Sequence, residues 1–533
     1  MRWCLAPALA LIACTALAQR IVLIPLDSRP AAGHFAQLIA RMANVEVVLP
    51  PYELLGRYTT AGNPDAILDW LSAQDMSDVL AVVASIDMAA FGGLIASRVS
   101  DTKIEVALKR LSRLVEIRKR NTKTKFFAFS AIMRLYPTAT RATAAWRLNL
   151  GRYQEVKDRF RRTQSPAHRQ TLQNLLAKIP PMEIQRYEAT RVRNHQLQRA
   201  LLGMVKEGAF DYVVLGQDDA QPYGPHIPEQ LALKQLADQY LLGGRVYMCE
   251  GIDQLANVLV SRALLRGNDW LPRVRVVYSD PAGRGKVANY ESKNIGLSVL
   301  DQLIASGARP VGPDGNHDYT LFLNTPNPRE GPFRSFVQQL TDEVEQGFPV
   351  AVADINLGKD GTADQTLFAI LGEDRRMMRL LSYAGWNTAG NTLGTAIPAA
   401  NVYLLARRLQ IDPLARETAQ REFLLHRFVN DFEYHRFTRP AAYKLIDSMP
   451  RASREETYGS DFEAVNRLVQ SDLTKRLFDT FEQQFRGRRF FAGTGQYQFS
   501  GLESVRVLLP WPRAYEVRLE FRMKAEPATD GTR

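Results

Sequence analysis

Residues 213–226 read "VVLGQDDAQPYGPH". A continuous apolar run ends in Gln217, Asp218 and Asp219, and a Pro-Tyr-Gly-Pro turn with Tyr223 follows. Paired carboxylates are the working groups of most glycosidases. One donates a proton, the other stays ionised, and burial or mutual repulsion separates their pKa values. Side chains of adjacent residues diverge in an extended segment. The partner of Asp218 or Asp219 is therefore expected on a neighbouring loop, as Asp27 ("LIPLDSRP") or Asp87 ("ASIDMAAFGG"). Phe91, Tyr223 and Trp386 suit stacking on sugar rings. Arg29, Arg98 and Arg134 suit clamping a carboxylate or phosphate. Gln217, Asp354 with Asn356 ("VADIN") and Asn387 ("GWNTAGN") complete the candidate substrate-binding set.

Two other chemistries compete with glycoside hydrolysis. Asp27, Asp87, Asp218 and Asp219 offer oxygen ligands for a divalent metal, and His226 and His317 would add nitrogen. No compact HExxH-type motif supports that reading. A non-catalytic exported binding protein would also use a crevice, but its neutral ligand would rarely need so many buried acids. "DPAGRGK" lacks the spacing and final hydroxyl residue of a phosphate-binding P-loop, and there is no G-x-S-x-G elbow. Asp87 and Asp219 are each followed by three residues and then an aromatic-glycine pair, Phe91-Gly92 and Tyr223-Gly224.

The elements that must position these groups are short apolar runs alternating with helical stretches. Strands are predicted at 21–26, 45–50, 79–85, 125–131, 211–216 and 245–249, then at 273–280, 308–312, 319–325 and 349–354. Continuous Val/Ile/Leu runs separated by helices argue for parallel sheets covered on both faces. Ligands in such sheets sit at the carboxyl ends of strands, where Asp27, Arg29, Asp87, Arg134, Gln217, Asp218, Asp219, Asp354 and Asn356 fall. The predicted fold is α/β, with two consecutive Rossmann-like parallel-sheet domains, 19–270 and 271–400. A helical insertion covers about 132–210. A helical C-terminal region, 401–533, ends in a β-hairpin around Pro-Trp-Pro. A (β/α)8-type barrel is the alternative.

Residues 1–18 carry Arg2, an apolar core and Ala16-Leu17-Ala18, the pattern of a secretory signal. "LIAC" ending at Cys14 also resembles a lipoprotein processing site. An exported protein is therefore expected, periplasmic or extracellular. After cleavage only Cys249 would remain, which excludes an internal disulfide or a zinc-thiolate cluster. No cofactor is expected beyond the optional divalent metal, and the substrate class is a small molecule or glycan. Of the formal net charge of +12, residues 101–200 carry +16 (23 Lys and Arg against 7 Asp and Glu), leaving −4 for the rest. That segment reads as a solvated helix face, or as a surface attracted to anions. Nucleic-acid signatures are absent. Oligomeric state is not legible.

Together, "LIPLDSRP", "SIDMAAFGGLIASR", "LGQDDAQPYGPH" and "YAGWNTAGNTLGT" resemble the bacterial family DUF4127, a domain of unknown function, over nearly all of the mature chain. The resemblance implies one continuous unit and no particular reaction. The family's paired Asp in a C-terminal helix is Asn430-Asp431 here ("FVNDFEY"), which argues against a catalytic role for that helix.

Overall fold

The computed structural model describes residues 19–528. The leader and Cys14 lie outside the described residues. Six parallel strands form the first sheet: β1 (Arg20–Ile24), β2 (Glu46–Val48), β3 (Val79–Ser85), β4 (Lys125–Ile132), β5 (Tyr212–Gln217) and β6 (Val246–Glu250). They lie in the order β2-β1-β3-β4-β5-β6. The second sheet holds β7 (Arg273–Tyr278), β8 (Arg309–Val311), β9 (Tyr319–Asn324), β10 (Val350–Asp354) and β11 (Ser382–Ala384), in the order β8-β7-β9-β10-β11. The first five strands of each series thus share one topology, with the chain leaving its first strand to opposite sides. Both sheets are open, so the closed-barrel alternative does not hold.

Alternation along each strand explains the layering. Ile21 and Leu23 join the core between the two sheets, whereas Val22 and Ile24 join the core on the outer face. Helices His34–Arg41, Leu255–Gly267, Ile295–Ser306 and Ala389–Arg408 fill the middle layer. The core they make is continuous from Leu23 and Val83 to Leu321 and Ala351. Helices Pro64–Ser72, Ile104–Arg120 and Pro181–Lys206 cover the outer face of the first sheet. Part of the basic segment is spent there, because Arg110 and Arg113 reach Asp65 across that helix layer. No helix of the described residues is long and apolar enough to cross a membrane.

The predicted insertion after β4 is three helices, Arg147–Thr163, Pro166–Leu176 and Pro181–Lys206. The C-terminal hairpin is part of a three-stranded antiparallel sheet, β12 (Arg489–Ala492), β13 (Gly495–Leu508) and β14 (Arg518–Pro527). The added strand follows from Gly493, whose positive φ of 61° closes a tight turn before β13. Residues 509–517, between β13 and β14, return to the carboxyl edge of the first sheet, where Trp511 Nε1 donates to Ser28 Oγ at 2.9 Å.

Candidate functional site

A crevice of about 610 Å³ opens where the carboxyl ends of the first sheet meet loops from the second sheet and the C-terminal region. Strand direction and order put it there: β1 and β3 diverge at the topological switch point, and their loops open outward. Seven Arg and Lys side chains line it against four aspartates.

The loop after β1 supplies Arg29, whose guanidinium binds Asp27 at 2.6 Å and Asp253 at 2.7 Å. Asp27 also accepts from the backbone N–H of Arg29 at 3.0 Å, so it stands behind the arginine and does not line the crevice. Burial pushes the Asp253 carboxyl up, against the pull of Arg29. Asp253 comes from the loop after β6 and is not among the site residues expected from sequence.

After β3 the chain makes a short helix, Ile86–Phe91, turns at Gly92 and Gly93, and makes a second helix, Leu94–Val99, carrying Arg98. Both glycines have positive φ, 90° and 123°, and a Cβ on Gly92 would lie 2.6 Å from the carbonyl oxygen of Gly62. Only glycine meets both demands. Asp87 is buried beneath this turn, where its Oδ2 accepts from Ala131 N–H at 2.8 Å. Burial pushes its carboxyl up to about 6, against that bond and those of Ser97 and Ser130. It does not line the crevice.

Arg98 binds Asp218, and both are almost wholly buried. Asp218 Oδ1 also accepts from the backbone N–H of Asp219 at 3.0 Å. Asp219 binds Arg134, from the loop after β4, and each of these two side chains is about one quarter exposed. Burial raises the Asp219 carboxyl above its ordinary range. Arg134 opposes this, and the neighbouring Asp218 adds to it. Adjacent acids thus face one crevice in unlike surroundings, each with its own arginine.

Six of the sequence candidates line the crevice together: Arg29, Arg98, Arg134, Asp218, Asp219 and Asn387. Asn387 accepts from the Tyr515 hydroxyl at 2.7 Å. The others take supporting places. Gln217 is buried, donates to the Asp218 carbonyl at 2.6 Å and accepts from Gln230 at 2.7 Å. Phe91 and Tyr223 turn toward the inserted helices. Arg193 stacks on Phe91 at 4.3 Å, and Arg159 on Tyr223 at 4.1 Å. They therefore hold the helical cap instead of facing the crevice. Asp354 binds Asn324 at 3.0 Å and the Asp364 N–H at 2.6 Å, while Asn356 binds Asp364 at 2.8 Å. These two residues shape the loop that delivers Lys359 and Asp360. Trp386 is buried edge-on against Phe35, with centroids 5.5 Å apart.

The inserted helices bring Arg147 and Arg152 to the crevice, and Tyr136 and Tyr290 add aromatic surface. The loop between β13 and β14 brings Trp511, Arg513 and Tyr515. Trp511 sits between two guanidiniums, Arg29 at 5.0 Å and Arg513 at 4.8 Å. Arg513 is balanced by Glu516 at 2.6 Å. No local signal marked these three residues, since "PWPRAY" reads as a turn between two strands and residues 510–515 do bend.

Among the described residues no three His, Cys, Asp or Glu side chains are placed to hold a metal ion. His226 is buried at a turn, with Nε2 2.8 Å from the Gln221 carbonyl oxygen, and His317 contacts Gly315. Cys249 is buried, and burial raises its thiol out of the reactive range. Asp431 lies in a π-helical segment, Val429–Thr438, where it accepts from Gly385 N–H at 2.9 Å behind the second sheet.

A search of curated proteins finds no match to the chain. A family model described as "Protein of unknown function (DUF4127)" matches residues 21–520, every strand of both parallel sheets except Arg20 at the start of β1. The chain belongs to the DUF4127 family.

Proposed function

We propose that the crevice is the active site of a hydrolase that cleaves a glycosidic bond, with Asp219 as proton donor. The supporting observation is the contrast between Asp218 and Asp219. Asp219 is partly exposed, lines the crevice and has its carboxyl raised, as a general acid requires. Asp218 is held by Arg98 and a backbone N–H, which fixes its carboxylate where it can stabilise an oxocarbenium-like transition state. Tyr515, Tyr136 and Tyr290 supply rings against which sugar faces can stack. The leader-like first residues would carry such an enzyme to a carbohydrate or cell-wall glycan outside the cytoplasm.

The metal-dependent reading finds less support, because the acids of the crevice are bound to arginines: Asp218, Asp219, Asp253 and Asp360. The test is a screen of the purified protein on chromogenic glycosides and phosphoesters, with and without EDTA. Glycoside cleavage that survives EDTA and is lost in Asp219→Asn supports the proposal. EDTA-sensitive cleavage, or ligand stabilisation without turnover, would replace it with the metal or the binding-protein reading.

A further inference from the structure

Every acid at the base of the crevice has a cation, but not every cation has an acid. Arg98 is matched by Asp218, Arg134 by Asp219, Arg513 by Glu516 and Arg29 by two aspartates. Asp360 is matched by Arg439 at 3.1 Å. Arg147, Arg152 and Lys359 also line the crevice, and among the described residues none of them forms an ion pair with an acid within 4 Å. They come from two separate places in the fold, the first inserted helix (Arg147–Thr163) and the loop after β10. The buried Arg98 Nε and Arg134 Nε are donors with no acceptor, on side chains that already face the same space. Arg147 is half-buried; burial disfavours its charge, the nearby charge of Arg134 adds to this, and Glu455 opposes it.

From the unmatched Arg147, Arg152 and Lys359, together with the unsatisfied donors on Arg98 and Arg134, we infer that the crevice selects a saccharide bearing an anionic substituent. The inference rests on the glycosidase reading of the same site and adds the substrate class. Guanidinium groups take carboxylate or phosphate oxygens in pairs, so either substituent meets the chemistry. Its negative charge would sit between the helical cap and the second-sheet loop, above Asp219. There it would draw on Arg134 and weaken that arginine's pull on the Asp219 proton, which favours the protonated acid. The neutral sugar skeleton would lie against Tyr515, whose ring is partly exposed.

Calorimetric titration of the full chain tests this with two matched pairs: trigalacturonate against its methyl ester, and glucose 6-phosphate against glucose. The expected result is that the anionic member of at least one pair binds at least about tenfold more tightly than its neutral counterpart. Which pair discriminates tells carboxylate from phosphate. Arg147→Gln and Lys359→Gln should each weaken the anionic ligand about tenfold, leave the neutral one unchanged and leave the melting temperature within a few degrees. Equal binding of both members of each pair, unchanged affinity in the double variant, or no binding by either anionic probe would overturn the inference. An anionic sugar that binds through these residues and is never cleaved keeps it and ends the glycosidase reading. Equal cleavage of charged and neutral glycosides does the reverse.

Discussion

Asp87 separates a structural acid from a catalytic one, and the separation is measurable. Its carboxyl is buried under the Gly92-Gly93 turn and pushed up to about 6, from an ordinary value near 4. An acid whose folded pKa is raised adds stability below its unfolded pKa and loses it as pH rises through the folded value. About two pKa units correspond to about 3 kcal/mol, present at about pH 3 and gone by about pH 7. Asp87→Asn keeps an acceptor for Ala131 N–H and gives the hydroxyls of Ser97 and Ser130 an N–H to accept, without any charge to bury. The variant should match the wild type near pH 3 and exceed it by up to about 3 kcal/mol at pH 7.5. Equilibrium urea unfolding of both proteins at several pH values reads this directly. Other titrating groups cancel in the difference between the two profiles. Parallel profiles, or a variant less stable at pH 7.5, would refute the burial argument for Asp87.

Two further perturbations test how the crevice is built. Arg98→Met strands the buried Asp218 carboxylate and should cost about 3–5 kcal/mol in denaturant unfolding, with part recovered by adding Asp218→Leu. Trp511→Ala should cost about 3–5 kcal/mol, because a fully buried ring between two guanidiniums is removed. Trp511→Phe should cost only about 1 kcal/mol, for the lost hydrogen bond to Ser28.

The central strands were legible because they are short apolar runs buried on both faces, as in β3, β5 and β10. The run 79–85 is β3 residue for residue. β11 escaped because Ser382–Ala384 is three residues long and carries no run. The strand-end rule brought Arg29, Asp218 and Asp219 to one place because strand direction alone decides it. It said nothing about which way a ring turns. Phe91 and Tyr223 sit on the right loops, yet their faces are taken by Arg193 and Arg159 of the cap. Trp511 was invisible for a different reason. Its partner Ser28 lies 483 residues away, and locally "PWPRAY" reads as a hairpin turn. Arg147, Arg152 and Lys359 read as ordinary surface charge until the cap and the second sheet are folded over the crevice.

The account turns on Asp219 acting as the proton donor. The most direct measurement is the turnover of Asp219→Asn against wild type, on whichever glycoside the wild type cleaves, with melting temperatures compared in parallel. A general acid is worth about 10²–10⁴ in rate. The variant should therefore lose at least a hundredfold in kcat while still melting within a few degrees of the wild type. Turnover within a few-fold of wild type, from a variant that is folded, would contradict the assignment.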